Sequence, residues 1–115
     1  MLTDMNQEGG FPIAVLTDVD GFTIASAAAA DQDSERQSAV VAVVQRTALQ
    51  VQDRLGMSET EEFSMFDKDG KRLICRLFTA TGHAMILAVL VPNKDLTYRR
   101  LMTRTVNAIR ILLKD

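Results

Sequence analysis

The chain has no tryptophan, one cysteine, one histidine and two prolines in 115 residues, and each shortage narrows what it can do. Cys75, alone, cannot form an internal disulfide and suits a reducing compartment, so a cytoplasmic location is expected. His83, the single histidine, stands in a glycine-containing turn; a zinc site needs about four ligands at suitable spacing. A Cys75–His83 pair has no such company, and neither a metal nor a cofactor is expected. No apolar run approaches the roughly 18 residues that span a bilayer. Residues 1–10 carry Asp4 and Glu8 with no basic start and apolar run, so no secretory leader is expected there. The phosphate-cradling Gly-x-x-x-x-Gly-Lys-Ser/Thr loop and the Gly-x-Ser-x-Gly nucleophile turn are both missing from the sequence. The expectation is a protein that is not an enzyme.

Two Asp-x-Asp-Gly segments, 18–21 and 67–70, resemble the opening of a calcium loop. Such a loop needs a third ligand before its glycine and a glutamate six residues after it. Phe22-Thr23-Ile24 follows Gly21, and Arg76 stands six after Gly70, so both segments read as turns. Asp-Gly between strand-like runs is a strong hairpin signal, because both residues tolerate the dihedrals that tight turns demand. Strands are therefore expected at Phe11–Asp18 and Phe22–Ser26, and again at Glu61–Asp67 and Lys71–Phe78. A fifth, Ala84–Val91, is apolar without alternation and belongs in the middle of a sheet covered on both faces.

Helices are expected from Asp33 or Ser34 to Leu55, stopped by Gly56, and from about Asn93 or Asp95 to Leu113. On the first, Val40, Val44, Thr47, Val51 and Leu55, widened by Val41 and Ala48, form the stripe expected to cover the sheet. A second seam, Ser38, Ala42, Gln45, Leu49 and Gln52, is small or neutral. On the last helix the stripe is Tyr98, Leu101, Met102, Thr105, Ile109, Leu112 and Leu113. The expected class is α/β (α+β): a five-stranded, mostly antiparallel sheet of order 2-1-5-4-3, with the long helix on one face and the C-terminal helix on the other. Residues 1–10 are a short N-terminal segment and 11–115 a single domain.

Charge is unevenly spread. Residues 1–62 hold eleven acids against three bases, and 63–115 ten bases against four acids. This signals either a basic binding surface or two halves that attract each other within one fold, and the second is the ordinary case. Arg99, Arg100, Arg104 and Arg110 on the last helix form a candidate partner surface. Nucleic acid is disfavoured as that partner, because the whole chain is net acidic at −2 and lacks tryptophan. The midsection Ala39-Val40-Val41-Ala42-Val43-Val44 is apolar almost all round, so the helix must be covered on a second side. A second copy of the chain is the economical cover. Edge pairing by the strand at Glu61–Phe66 would add a further contact.

The run Ile13-Ala14-Val15-Leu16-Thr17-Asp18-Val19-Asp20-Gly21-Phe22-Thr23-Ile24-Ala25-Ser26 resembles the opening hairpin of Roadblock (dynein light-chain) domains, and the later elements follow in that family's order from about residue 11 to 113. The resemblance implies a Roadblock/profilin-like sheet dimerised through the first long helix and third strand. It places Ser38, Ala42, Gln45, Leu49, Phe63 and Met65 at the interface. It also implies a homodimeric, non-catalytic regulator or scaffold of a Ras-like small GTPase, nearest the bacterial type. A self-assembly subunit or dynein-light-chain-like adaptor is the alternative, ahead of a basic-helix nucleic-acid binder. A small-molecule sensor has no convergent polar pocket in the sequence to support it. The family's first helix, expected here to be missing or reduced to a turn, would leave a vacant apolar groove beside the last helix.

Overall fold

The computed structural model describes residues 1–114. Its elements are α1 (Leu2–Gly9), β1 (Ile13–Asp18), β2 (Thr23–Ala28), α2 (Ser34–Leu55), β3 (Glu62–Phe66), β4 (Arg72–Ala80), β5 (His83–Val91) and α3 (Arg99–Leu113). The strands form one sheet of order β2-β1-β5-β4-β3, and every neighbouring pair is antiparallel. Met85 to Val89 of β5 are buried on both faces, which is why an unbroken apolar run occupies the centre.

The two Asp-x-Asp-Gly turns are built alike. Asp18 Oδ1 accepts from the Asp20 and Phe22 amides at 2.9 and 3.0 Å. Asp67 Oδ1 accepts from those of Asp69 and Lys71, both at 2.9 Å. Gly21 and Gly70 close the turns at φ 88° and 90°, a region that glycine enters without penalty. The carboxylates serve their own turns.

Alternation along the strands divides the core into two layers. Ala14, Leu16, Ile74, Phe78, Leu87 and Val89 face α1 and α3, against Leu2, Met5, Met102, Val106 and Ile109. Val15, Leu73, Cys75, Ile86 and Ala88 face α2, against Val41 and Val44. Helix α2 begins at Asp33, whose side chain accepts from the Arg36 amide at 3.1 Å, and ends at Gly56 with φ 65°.

Three expectations need correction. The first helix is present: α1 makes two turns and buries Leu2, Met5, Asn6 and Gly9, one stripe at helical spacing. It lies against α3 and β2 and fills much of the groove expected to be empty. Gly9-Gly10 reads as a breaker, yet Gly9 lies within the helix because the Phe11 ring packs where a Cβ would stand.

Helix α3 starts at Arg99, later than expected. Arg72 holds the preceding loop by donating to the carbonyls of Asn93 and Leu96 at 3.0 and 2.6 Å.

The third correction concerns the two faces of α2, which are turned relative to the expectation. The inward line is Ser38, Val41, Gln45 and Ala48, whereas Val40, Val43, Val51 and Leu55 are exposed. The β1–β2 turn crosses so close to the helix that a Cβ on Gly21 would stand 2.7 Å from that of Ala42. Small residues are required on that flank, and the Ser38 and Thr23 hydroxyls meet at 2.6 Å.

Candidate interaction surface

Reactive groups are scattered. Cys75 is buried on the α2 side of β4, and burial pushes its thiol up to about 12. His83 opens β5 in solvent, opposite Ala80, while Cys75 lies opposite Ala88, five residues further along the same strand. The structure keeps the two apart. Among the described residues no three His, Cys, Asp or Glu side chains gather as a metal site.

Apolar surface gathers instead along one side of α2 and the neighbouring sheet edge. Val40, Val43 and Val51 project outward, with Val43 53 % exposed. Thr47 lies on the same line and is exposed, its hydroxyl turned back onto the Val43 carbonyl at 2.9 Å. Val44, half-buried, and Phe63 of β3 pack on the inner cluster and carry this surface towards the sheet edge. There Met65 is 59 % and Phe66 65 % exposed. Strand β3 pairs only with β4, leaving its outer edge without a neighbour in the sheet.

The six residues expected at an interface therefore separate. Phe63 and Met65 lie on this surface. Ser38 and Gln45, 4 % and 8 % exposed, turn inward against the chain's own sheet, so their expected outward position is corrected. Ala42 seats the β1–β2 turn. Leu49 is exposed, but it stands two residues before Val51, roughly 160° round the helix. Val40 and Val51 were missed as outward residues because hydrophobicity alone assigned them to the sheet-covering stripe, and Val43 was placed on neither face. The signal that could have found them was the helix being apolar on all sides.

The four arginines of α3 are largely engaged by their own chain. Arg104 pairs with Glu8 of α1. Arg99 approaches Glu62 at 4.0 Å and lies over the Tyr98 ring. Arg110 donates to the Thr79 carbonyl at 3.1 Å and lies over Phe78. Arg100 makes no ion pair among the described residues. Glu62 is also bound by Arg76 at 3.2 Å, and Arg76 in turn donates to the Thr103 hydroxyl at 2.6 Å. Part of the basic face thus ties α3 to the sheet and to α1.

No protein-family model matches the chain, and no curated protein sequence does. Solved structures do. A Roadblock/LC7 domain from Streptomyces avermitilis is 18 % identical, with a TM-score of 0.79 over 99 % of this chain and 95 % of that one. The gliding protein MglB from Thermus thermophilus is 17 % identical, with a TM-score of 0.76 over 98 % and 85 %. An MglB in a tetrameric arrangement is 18 % identical, with a TM-score of 0.77 over 98 % and 85 %. No helix among the described residues is long and apolar enough to cross a membrane. The sheet order, the single helix on one face and the helix pair on the other identify a Roadblock-type fold of the kind found in bacterial MglB.

Proposed function

We propose that the chain is a cytoplasmic homodimer that regulates or scaffolds a Ras-like small GTPase without catalytic residues of its own. The observation that carries this reading is the apolar surface shared by α2 and β3, on a Roadblock-type fold. The dimer uses Val40, Val43, Thr47 and Val51 of α2 with Phe63 and Met65 of β3; of the residues the resemblance implied, Phe63 and Met65 are kept.

Two α2 helices pair through the outward stripe, and two β3 strands pair antiparallel about Ser64. That register sets Glu62 opposite the partner's Phe66 and Phe63 opposite the partner's Met65, with no like charges facing within the strand. Each of these valines is only about half exposed in the single chain, so burying it adds about half of the roughly 1.5–3 kcal/mol of a full burial, against an association cost on the order of 4–15 kcal/mol. The helix seam alone is marginal, and strand pairing gives the remainder while hiding an edge. The resulting ten-stranded platform presents the α1–α3 layers of both copies, with Arg100 among their free charges, to the GTPase.

Capture from the source cell's lysate, with GDP and with a non-hydrolysable GTP analogue, tests the partner. The expected result is a small GTPase retained in one nucleotide state. Retention of none in either state contradicts the regulator reading.

Self-assembly beyond a dimer is the second reading. Residues 22–30, which include the edge strand β2, carry no charge. An apolar groove of about 300 Å³ beside β2 is lined by Ile24, Ile109, Leu112 and Leu113. The tetrameric arrangement of one similar MglB favours a second copy as its occupant. A mass that rises past the dimer with concentration supports this reading.

A further inference from the structure

Strand β2 is an edge almost without guards. The chain is 24 % charged, yet residues 22–30 hold no charged residue and no proline. The opposite edge, β3, carries Glu62 and is bounded by Glu61 and Asp67. Edge strands ordinarily deter pairing with charge, proline or a bulge. Only a bulge is found on β2, opposite Leu16 and Thr17, and the strand from Ala25 to Ala28 keeps a regular register with β1.

One hydrogen bond fixes which backbone groups face outward. The Ala29 amide donates to the Pro12 carbonyl at 2.9 Å. Bonded and non-bonded positions alternate along an antiparallel pair, so Ala27 bonds to Ala14 of β1, while the N–H and C=O of Ser26 and Ala28 point to the open edge. The Ala27 carbonyl also accepts from Asn6 Nδ2 of α1 at 3.1 Å, which holds that helix over the strand.

Neutrality extends beyond the strand. Grooves of about 300 and 500 Å³ lie along it, one at residues 24–26 and one at 27–29, and no charged side chain lines either. The flank of α1 beside the second groove is Thr3, Gln7 and Gly10, while Glu8 is turned to Arg104 of α3. A charged segment would lose hydration here without a counter-charge, whereas the same neutral surface presented twice avoids that cost. Symmetry fits as well. A two-fold axis at Ala27 sets Ser26 opposite the partner's Ala28, and each such pair exchanges two main-chain hydrogen bonds. Helix α1 packs on both β1 and β2, roughly half a strand spacing inside the edge, so the same axis brings two α1 helices to about 10 Å, a packing distance.

We propose that β2 and the neutral flank of α1 form a second self-contact, in which two copies pair their β2 strands antiparallel about Ala27. This contact deepens, and rests on, the reading of the chain as self-assembling beyond a dimer. Because β2 and β3 are opposite edges of one sheet, two different two-fold contacts extend the β3-paired dimer into a row of copies.

The test joins light scattering with residue-resolved amide exchange on the native chain, between about 20 µM and about 1 mM. The mass rises past the dimer, and exchange at Ser26 and Ala28 slows at least about threefold, while Ala27, already bonded to β1, changes less. Ala28→Pro deletes an outward N–H that β1 does not use, and Ser26→Lys puts charge on the bare edge. Both variants keep the fold and stop at the dimer. Exchange at Ser26 and Ala28 that ignores concentration overturns the contact, as do both variants assembling like the native chain. If the mass passes the dimer all the same, self-assembly stands and runs through another surface. A mass that never passes the dimer removes both.

Discussion

Gly21 and Gly82 both sit at positive φ, 88° and 80°, yet their surroundings differ completely. A Cβ on Gly21 would meet the Ala42 Cβ at 2.7 Å and the Ser38 carbonyl oxygen at 3.0 Å, whereas one on Gly82 would meet nothing within 4 Å. Gly82→Ala therefore carries only the backbone strain of about 1–3 kcal/mol, and Gly21→Ala carries that strain plus a forced separation of turn and helix. Urea denaturation should show Gly21→Ala as the more destabilised of the two; equal losses would mean that the turn does not rest on α2. By the same contact, Ala42→Arg would displace the turn before it could disturb any second chain. Cys75 gives a test through pH. Its folded thiol lies at about 12 against a reference value of 9.0, so above pH 9 the unfolded chain loses a proton that the folded chain keeps. The stability linked to this group is complete below pH 9 and is lost as the pH rises towards 12. Cys75→Ala should flatten the alkaline fall in stability relative to the parent chain, and identical pH profiles would contradict a buried neutral thiol.

At the scale of elements, period and punctuation carried most of the information. The Asp-Gly turns and the unbroken apolar run of β5 placed all five strands within two residues of their observed limits and fixed their order. Asp33 and Gly56 marked the ends of α2. Hydropathy failed on α2, whose inward line is Ser38, Val41, Gln45 and Ala48; the β1–β2 turn demands small side chains only where it crosses the helix, at Ser38 and Ala42. Val40, Val43 and Val51 point outward, and four of the six expected interface residues had to be exchanged for them. Helix α1 was missed because two adjacent glycines usually end structure, while Leu2 and Met5 give only one turn of pattern. Its role in the core can be measured. Met5 is 2 % exposed within the α1–α3 cluster, so Met5→Ala should cost about 2–5 kcal/mol in thermal or urea denaturation. A loss below about 0.5 kcal/mol, usual for surface sites, would show that α1 is not docked.

Over the whole molecule, the uneven charge joins the two halves of the chain. Glu8 and Glu62 from the acidic half meet Arg104, Arg76 and Arg99 from the basic half. Such partly exposed pairs contribute little individually, about 0–1 kcal/mol, but they spend part of the basic face that the sequence offered to a partner. The fold leaves uncovered, among other apolar surface, the valine stripe of α2 and the apolar edge of β3, and the proposed homodimer rests on these two together. Light scattering coupled to size exclusion, on the native chain beside Val43→Asp and Leu49→Lys, tests that dimer most directly. The account predicts about twice the 12.7 kDa chain mass for the native protein and for Leu49→Lys, and a folded monomer for Val43→Asp. A native monomer, or a Val43→Asp protein that stays dimeric, would contradict it.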